Sequence, residues 1–105
     1  METNTFQPIL IAPQTAVLLV FVSVGRPGRG TVEPLLQTVR AQVGGSLRIL
    51  TIDEAGHPEV IRSFSVTKLP TFVLVQQGSE IWRYEGLPVG AELVPALLAQ
   101  LQRLH

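Results

Sequence analysis

Residues 16–24 (AVLLVFVSV) form an apolar run interrupted only by Ser23 and rich in β-branched and aromatic side chains. A strand covered on both faces reads this way, most often in parallel pairing. The run is far below the roughly 20 residues that cross a bilayer, so it predicts a buried strand. Residues 25–30 (GRPGRG) hold three glycines and a proline, which makes them a loop at the carboxyl end of that strand. From Thr31 the apolar residues change to helical spacing, with Val32, Leu35, Leu36, Val39 and Val43 on one stripe before Gly44 and Gly45 stop it.

Leu47–Asp53 (LRILTID) predicts a second strand, followed by a turn at residues 54–56 and a short helix opened by His57 and Pro58. Val60, Ile61 and Phe64 supply that helix's buried stripe. Lys68-Leu69-Pro70 ends the pattern directly before a third strand, Thr71–Gln76. Gln77-Gly78-Ser79 is a turn into residues 80–85 (EIWRYE), where Trp82 and Tyr84 alternate with Ile81 and Arg83, as in the half-exposed edge strand of a hairpin. After residues 86–90, Leu93, Val94, Leu97, Leu98, Leu101 and Leu104 line one face of a last helix, with Pro95 expected in its first turns. The order strand, helix, strand, helix, hairpin, helix implies an α/β domain with helices on both faces of a mixed sheet. It covers residues 16–105, and residues 1–15 stand as an N-terminal arm or edge strand. Residues 6–12 suit a strand, but only Pro13-Gln14-Thr15 separates them from the next one, whereas a parallel crossover takes about a dozen residues.

Composition narrows the chemistry. The 105 residues are 46% hydrophobic, enough for a packed core. Eight Lys and Arg balance eight Asp and Glu, so no global field draws the chain to nucleic acid or to an anionic membrane. Residues 1–8 contain no Lys or Arg, unlike the positive flank of a secretory signal, and a cytoplasmic address is the expectation. There is no cysteine, and the two histidines, His57 and His105, stand far apart, so neither a zinc site nor another cofactor is implied. Ser23, Ser65 and Thr71 have no evident histidine and carboxylate partners for a nucleophilic triad. The glycine spacing matches neither a P-loop nor a dinucleotide fingerprint.

The succession of elements over residues 16–104 resembles the thioredoxin family. VLLVFVS looks like the central strand that leads into the family's active site; Pro34 matches the proline inside its second helix; Lys68-Leu69-Pro70-Thr71 matches the segment with its cis proline; Gly78 and Gly86 fit the hairpin and post-hairpin glycines. The resemblance implies a central mixed β-sheet of four or five strands flanked by three or four helices, with a cis bond before Pro70. Counting back from Pro34, the family's Cys-Gly-Pro-Cys falls on Arg26-Pro27-Gly28-Arg29. Dithiol exchange needs one thiolate to attack and a second thiol to resolve the mixed disulfide, and this chain has neither. The family's buried aspartate and the lysine near it correspond to Val20 and Ile49. Without thiols to serve, a buried acid and base would only bear a desolvation cost.

The resemblance also implies a peptide-facing rim: Arg26, Pro27, Gly28 and Arg29 in the loop, Leu69, Pro70 and Thr71, and Gly86 with Leu87 after the hairpin. An extended peptide or protein segment pairing beside Pro70 would make this chain a binding or chaperone-like module. Alternatively the groove is unused. Arg26 and Arg29 flank a helix start, where two guanidiniums suit a carboxylate, a phosphate or a small thiol such as glutathione, and an enzyme built on that loop is a second reading. Against it, cations oppose the helix dipole there, and Gly28 and Gly30 each cost about 1 kcal/mol inside a helix. That reasoning starts the helix at an N-capping Thr31, leaves Glu33 complementing the dipole, and puts the arginines on a solvated loop. A third reading is a homodimer joined through the Trp82 and Tyr84 edge, although packing on the last helix is the plainer role for these rings.

Overall fold

The strand predicted at residues 16–24 forms as β1 (Ala16–Val22) and sits in the middle of the sheet in a computed structural model that describes residues 15–23, 25, 29–88 and 92–103. The expected strand at residues 6–12 lies outside the described residues. β2 (Leu47–Asp53) runs parallel to β1, with Ala16 opposite Leu47 and Val22 opposite Asp53. β3 (Thr71–Gln76) pairs antiparallel on the other side of β1 and carries β4 (Ser79–Glu85). Among the described residues the sheet therefore has four strands in the order β2-β1-β3-β4. Such a sheet requires apolar residues on both of its faces, and β1 supplies them: Leu18, Val20 and Val22 enter one cluster, Leu19 and Phe21 the other.

Helix α1 (Arg29–Val43) and helix α3 (Leu93–Arg103) cover the first face, burying Val32, Leu36 and Val39 from α1 and Leu93, Leu97 and Leu101 from α3 against Val20, Phe72 and Leu74. Trp82 and Tyr84 pack on this same cluster, with Tyr84 edge-on to Phe72 at 6.4 Å between ring centres. The short helix α2 (Pro58–Ser63) covers part of the second face, where Val60, Ile61 and Phe64 meet Leu19, Phe21 and Val73. Pro58 occupies its first turn, where a missing N–H costs nothing.

Helix α1 departs from expectation. It starts at Arg29 rather than at a Thr31 cap, which places Gly30 within its first turn and Pro34 inside the helix. The helix, anchored by the buried Val32 and Leu36, runs back across Gly30 despite a glycine penalty of about 1 kcal/mol. Glu33 does not serve the helix start either, because its carboxylate pairs with Arg40 two turns on, at 3.1 Å.

The hairpin turn has positive φ at both central residues, Gln77 (53°) and Gly78 (80°), the pairing that matches strand twist in a two-residue loop. A bulge then shifts the register: Trp82 faces Leu74, but Glu80 rather than Ile81 faces Val75. The simple alternation expected over residues 80–85 breaks at that point, and Ile81 is left 36% exposed.

The end of α2 is closed by two backbone bonds, Ser65 N–H to the Arg62 carbonyl at 3.0 Å and Val66 N–H to the Ile61 carbonyl at 3.1 Å. This is a Schellman closure with Ser65 in the left-handed position, φ 55°, where glycine is ordinarily preferred. Ser65→Gly is expected to raise stability by about 0.5–1 kcal/mol and Ser65→Val to lower it by at least as much, read from urea midpoints at unchanged slope.

Candidate functional site

Antiparallel pairing sets Phe21, near the carboxyl end of β1, opposite Thr71, the first residue of β3, and Thr71 in turn stands opposite Glu85 at the end of β4. The segments before β3 and after β4 are thereby brought side by side, at the end of the sheet where β1 runs out. Thr71 is fully buried, and its hydroxyl donates to the Lys68 carbonyl, so the chain turns tightly into β3. Pro70 is buried, and its carbonyl accepts the Gly86 N–H at 2.7 Å. The Leu69–Pro70 peptide bond is cis.

Two apolar side chains line this junction. Leu69 is half-buried on the Leu19, Phe21 and Val73 cluster, and Leu87 is 48% exposed. Gly86 has φ 91°, a backbone conformation that favours glycine, and a Cβ there would lie 3.3 Å from Cδ of Lys68, so the exposed lysine stem passes close over it. Neither the N–H nor the carbonyl of Leu69 has a hydrogen-bond partner among the described residues. A backbone without a protein partner is one that water or an incoming strand satisfies.

Of the remaining predicted site residues, Arg26, Pro27 and Gly28 lie outside the described residues, and Arg29 opens α1. The structure thus brings together Leu69, Pro70, Thr71, Gly86 and Leu87. Among the described residues no group of three His, Asp or Glu side chains could hold a metal ion, and no helix is long and apolar enough to cross a membrane.

Sequence reasoning missed Arg83. Its guanidinium donates to both carboxylate oxygens of Glu80 at 2.8 Å, to Glu85 at 3.5 Å and to the Phe64 carbonyl at 2.7 Å. It therefore ties β4 to the end of α2, where an unsatisfied carbonyl and the helix dipole both favour a cation. In a regular strand residues 80 and 83 would face opposite ways. The bulge puts both on one face, opposite Val75 and Val73, so the signal was an E-x-x-R-x-E pattern legible only with the bulge known. The hydrogen bond from Arg83 holds the Glu80 carboxyl below its ordinary value, against a smaller opposing effect of burial.

A central strand with a parallel neighbour on one side, an antiparallel hairpin on the other and helices on both faces is the thioredoxin fold. Solved relatives agree: thioredoxin-2, described as a component of the malaria parasite's protein secretion machinery, superposes with a TM-score of 0.72 at 21% identity, covering 83% of this chain and 84% of that one. Fasciola hepatica thioredoxin gives 0.70 at 18% identity over 88% and 83%. The chain belongs to the thioredoxin family, whose sequence profile, described as Thioredoxin, matches residues 1–99. A thioredoxin-like protein of Synechocystis is 30% identical over 64 residues, 61% of each chain. Chloroplastic thioredoxin Y of Oryza sativa is 22% identical over 94% of this chain and 59% of its own. The chain thus spans about three fifths of the length of these curated relatives.

Within that family the redox apparatus is missing here. There is no cysteine, Val20 is fully buried, and Ile49 packs on the same apolar cluster. Val20→Asp would put a carboxyl into that cluster and is expected to cost about 3–5 kcal/mol by urea unfolding, far more than a core acid with thiol and lysine neighbours would. For Glu80 the sign follows from its depressed value: the stabilisation is present above the ordinary glutamate value of 4.5 and is lost as pH falls through the folded one. The stability gap between wild type and Glu80→Gln should be full at pH 7 and shrink from about pH 4.5 downward in thermal melts.

Proposed function

We propose that this chain is a redox-inactive thioredoxin-family module that binds an extended segment of another protein, in an accessory or chaperone-like role. The observation that carries the reading is the backbone of Leu69, which has no hydrogen-bond partner among the described residues and stands at the junction that also carries the exposed Leu87. An extended segment laid beside Leu69 would make main-chain hydrogen bonds there and bury alternate side chains on the two leucines. The arginine loop at residues 26–29 is a lesser contributor in this reading. Disulfide exchange has no part in the role, because the chain supplies no thiolate.

The test uses a permanently unfolded probe, reduced and carboxymethylated α-lactalbumin, with binding followed by fluorescence anisotropy. Leu87→Asp should weaken binding about tenfold, which is ~1.4 kcal/mol, and because Leu87 is exposed the fold should survive the change. Leu69→Asp should weaken it at least as much, and Arg26→Ala with Arg29→Ala should matter less. Equal binding by wild type and Leu87→Asp, or a dominant arginine effect, would overturn the proposal. Insulin reduction should show no turnover above buffer.

A further inference from the structure

We infer that the segment bound at this shelf carries a carboxylate side chain close to the residue that packs on Leu69 and Leu87. The inference rests on the binding reading above and adds the chemistry of the partner. Lys68 is the single lysine of the chain and immediately precedes the Leu69-Pro70 pair. Its carbonyl accepts the Thr71 hydroxyl, which fixes its backbone, and its Cδ lies against Gly86, 3.3 Å from where a Cβ would stand. The stem therefore reaches from the segment before β3 to Gly86 after β4, and a lysine so laid keeps its methylenes on the protein and its ammonium in water.

Nothing among the described residues neutralises that ammonium: the ion pairs there join Arg40 to Glu33 and Arg83 to Glu80 and Glu85, and none includes Lys68. The carboxylate nearest in sequence to the shelf, Glu85, is engaged by Arg83 at 3.5 Å. Asp53, at the end of β2, accepts the Gly56 N–H at 2.7 Å. A cation left over beside an apolar shelf and an open backbone complements a strand that brings an acid next to its apolar contact. The same cation disfavours a basic segment.

The inference is tested with synthetic nine-residue peptides of identical apolar composition, in which one position at a time holds Glu, Gln or Lys, titrated against wild type, Lys68→Gln and Lys68→Glu. At one position at least, wild type should prefer Glu over Lys by about two- to fivefold, as expected for a solvent-exposed ion pair, and the preference should fade as salt is raised. Lys68→Gln should abolish it, and Lys68→Glu should reverse it. Lys68 is exposed, so both variants should keep the wild-type melting point. Binding without charge preference, or a preference unchanged in Lys68→Glu, overturns the acidic partner and leaves the shelf intact. If no peptide binds at any position, the shelf and the inference fall together.

Discussion

The structure depends on β1 being apolar on both faces and paired on both edges. Leu18, Val20, Phe21 and Val22 have no exposed surface, and at about 1.5–3 kcal/mol for each large side chain buried, this one strand anchors both layers of helices. Its position also determines what meets at its carboxyl end. The parallel partner β2 reaches Asp53 opposite Val22, and the antiparallel partner β3 starts at Thr71 opposite Phe21. A strand in the centre of a mixed sheet thus delivers loops from both neighbours to one edge, the general location of binding sites in open α/β sheets. The shelf formed by Leu69, Pro70, Gly86 and Leu87 is a consequence of that register and of the Gly86 to Pro70 backbone bond.

Most of the architecture was legible because its elements have unambiguous periods. The unbroken run of β1, the helical stripes of α1 and α3, and the Pro58 start of α2 each carry one signal that tertiary packing reinforces. The cost of Gly28 and Gly30 in a helix and the opposition of cations to the helix dipole argued for a start at Thr31, whereas α1 begins at Arg29 and runs across Gly30. The rim at Leu69, Pro70, Gly86 and Leu87 could be named in advance only through family resemblance. No local pattern says that residues 69 and 87 will be neighbours, since that follows from β3 and β4 pairing in register across 18 positions of chain. Arg83 escaped notice for a related reason: the one-residue bulge at Ile81 changes which side chains share a face, and a bulge is invisible in an alternating pattern.

The bulge and the Arg83 cluster also bear on β4 as an edge. Among the described residues β4 has a neighbour only on the β3 side, and an edge of this length with Ile81, Trp82 and Tyr84 in it would be a template for strand addition. The rings are instead turned onto the α1 and α3 face, where Trp82 and Tyr84 lie 6.3 Å apart, while Glu80, Arg83 and Glu85 place charge on the other face. These features favour a quiet edge over a dimer joined through Trp82 and Tyr84.

Loss of the redox residues and retention of the shelf are physically compatible, because the two rest on different parts of the fold. The resemblance puts the family's buried acid and its lysine at Val20 and Ile49, and here both side chains pack in the first core cluster with no desolvation cost to bear. The shelf draws on none of those residues. It needs the second cluster beneath Leu69, the buried Thr71 hydroxyl and a glycine at position 86. A chain without thiols can therefore keep the Leu69 junction, whose backbone has no hydrogen-bond partner among the described residues.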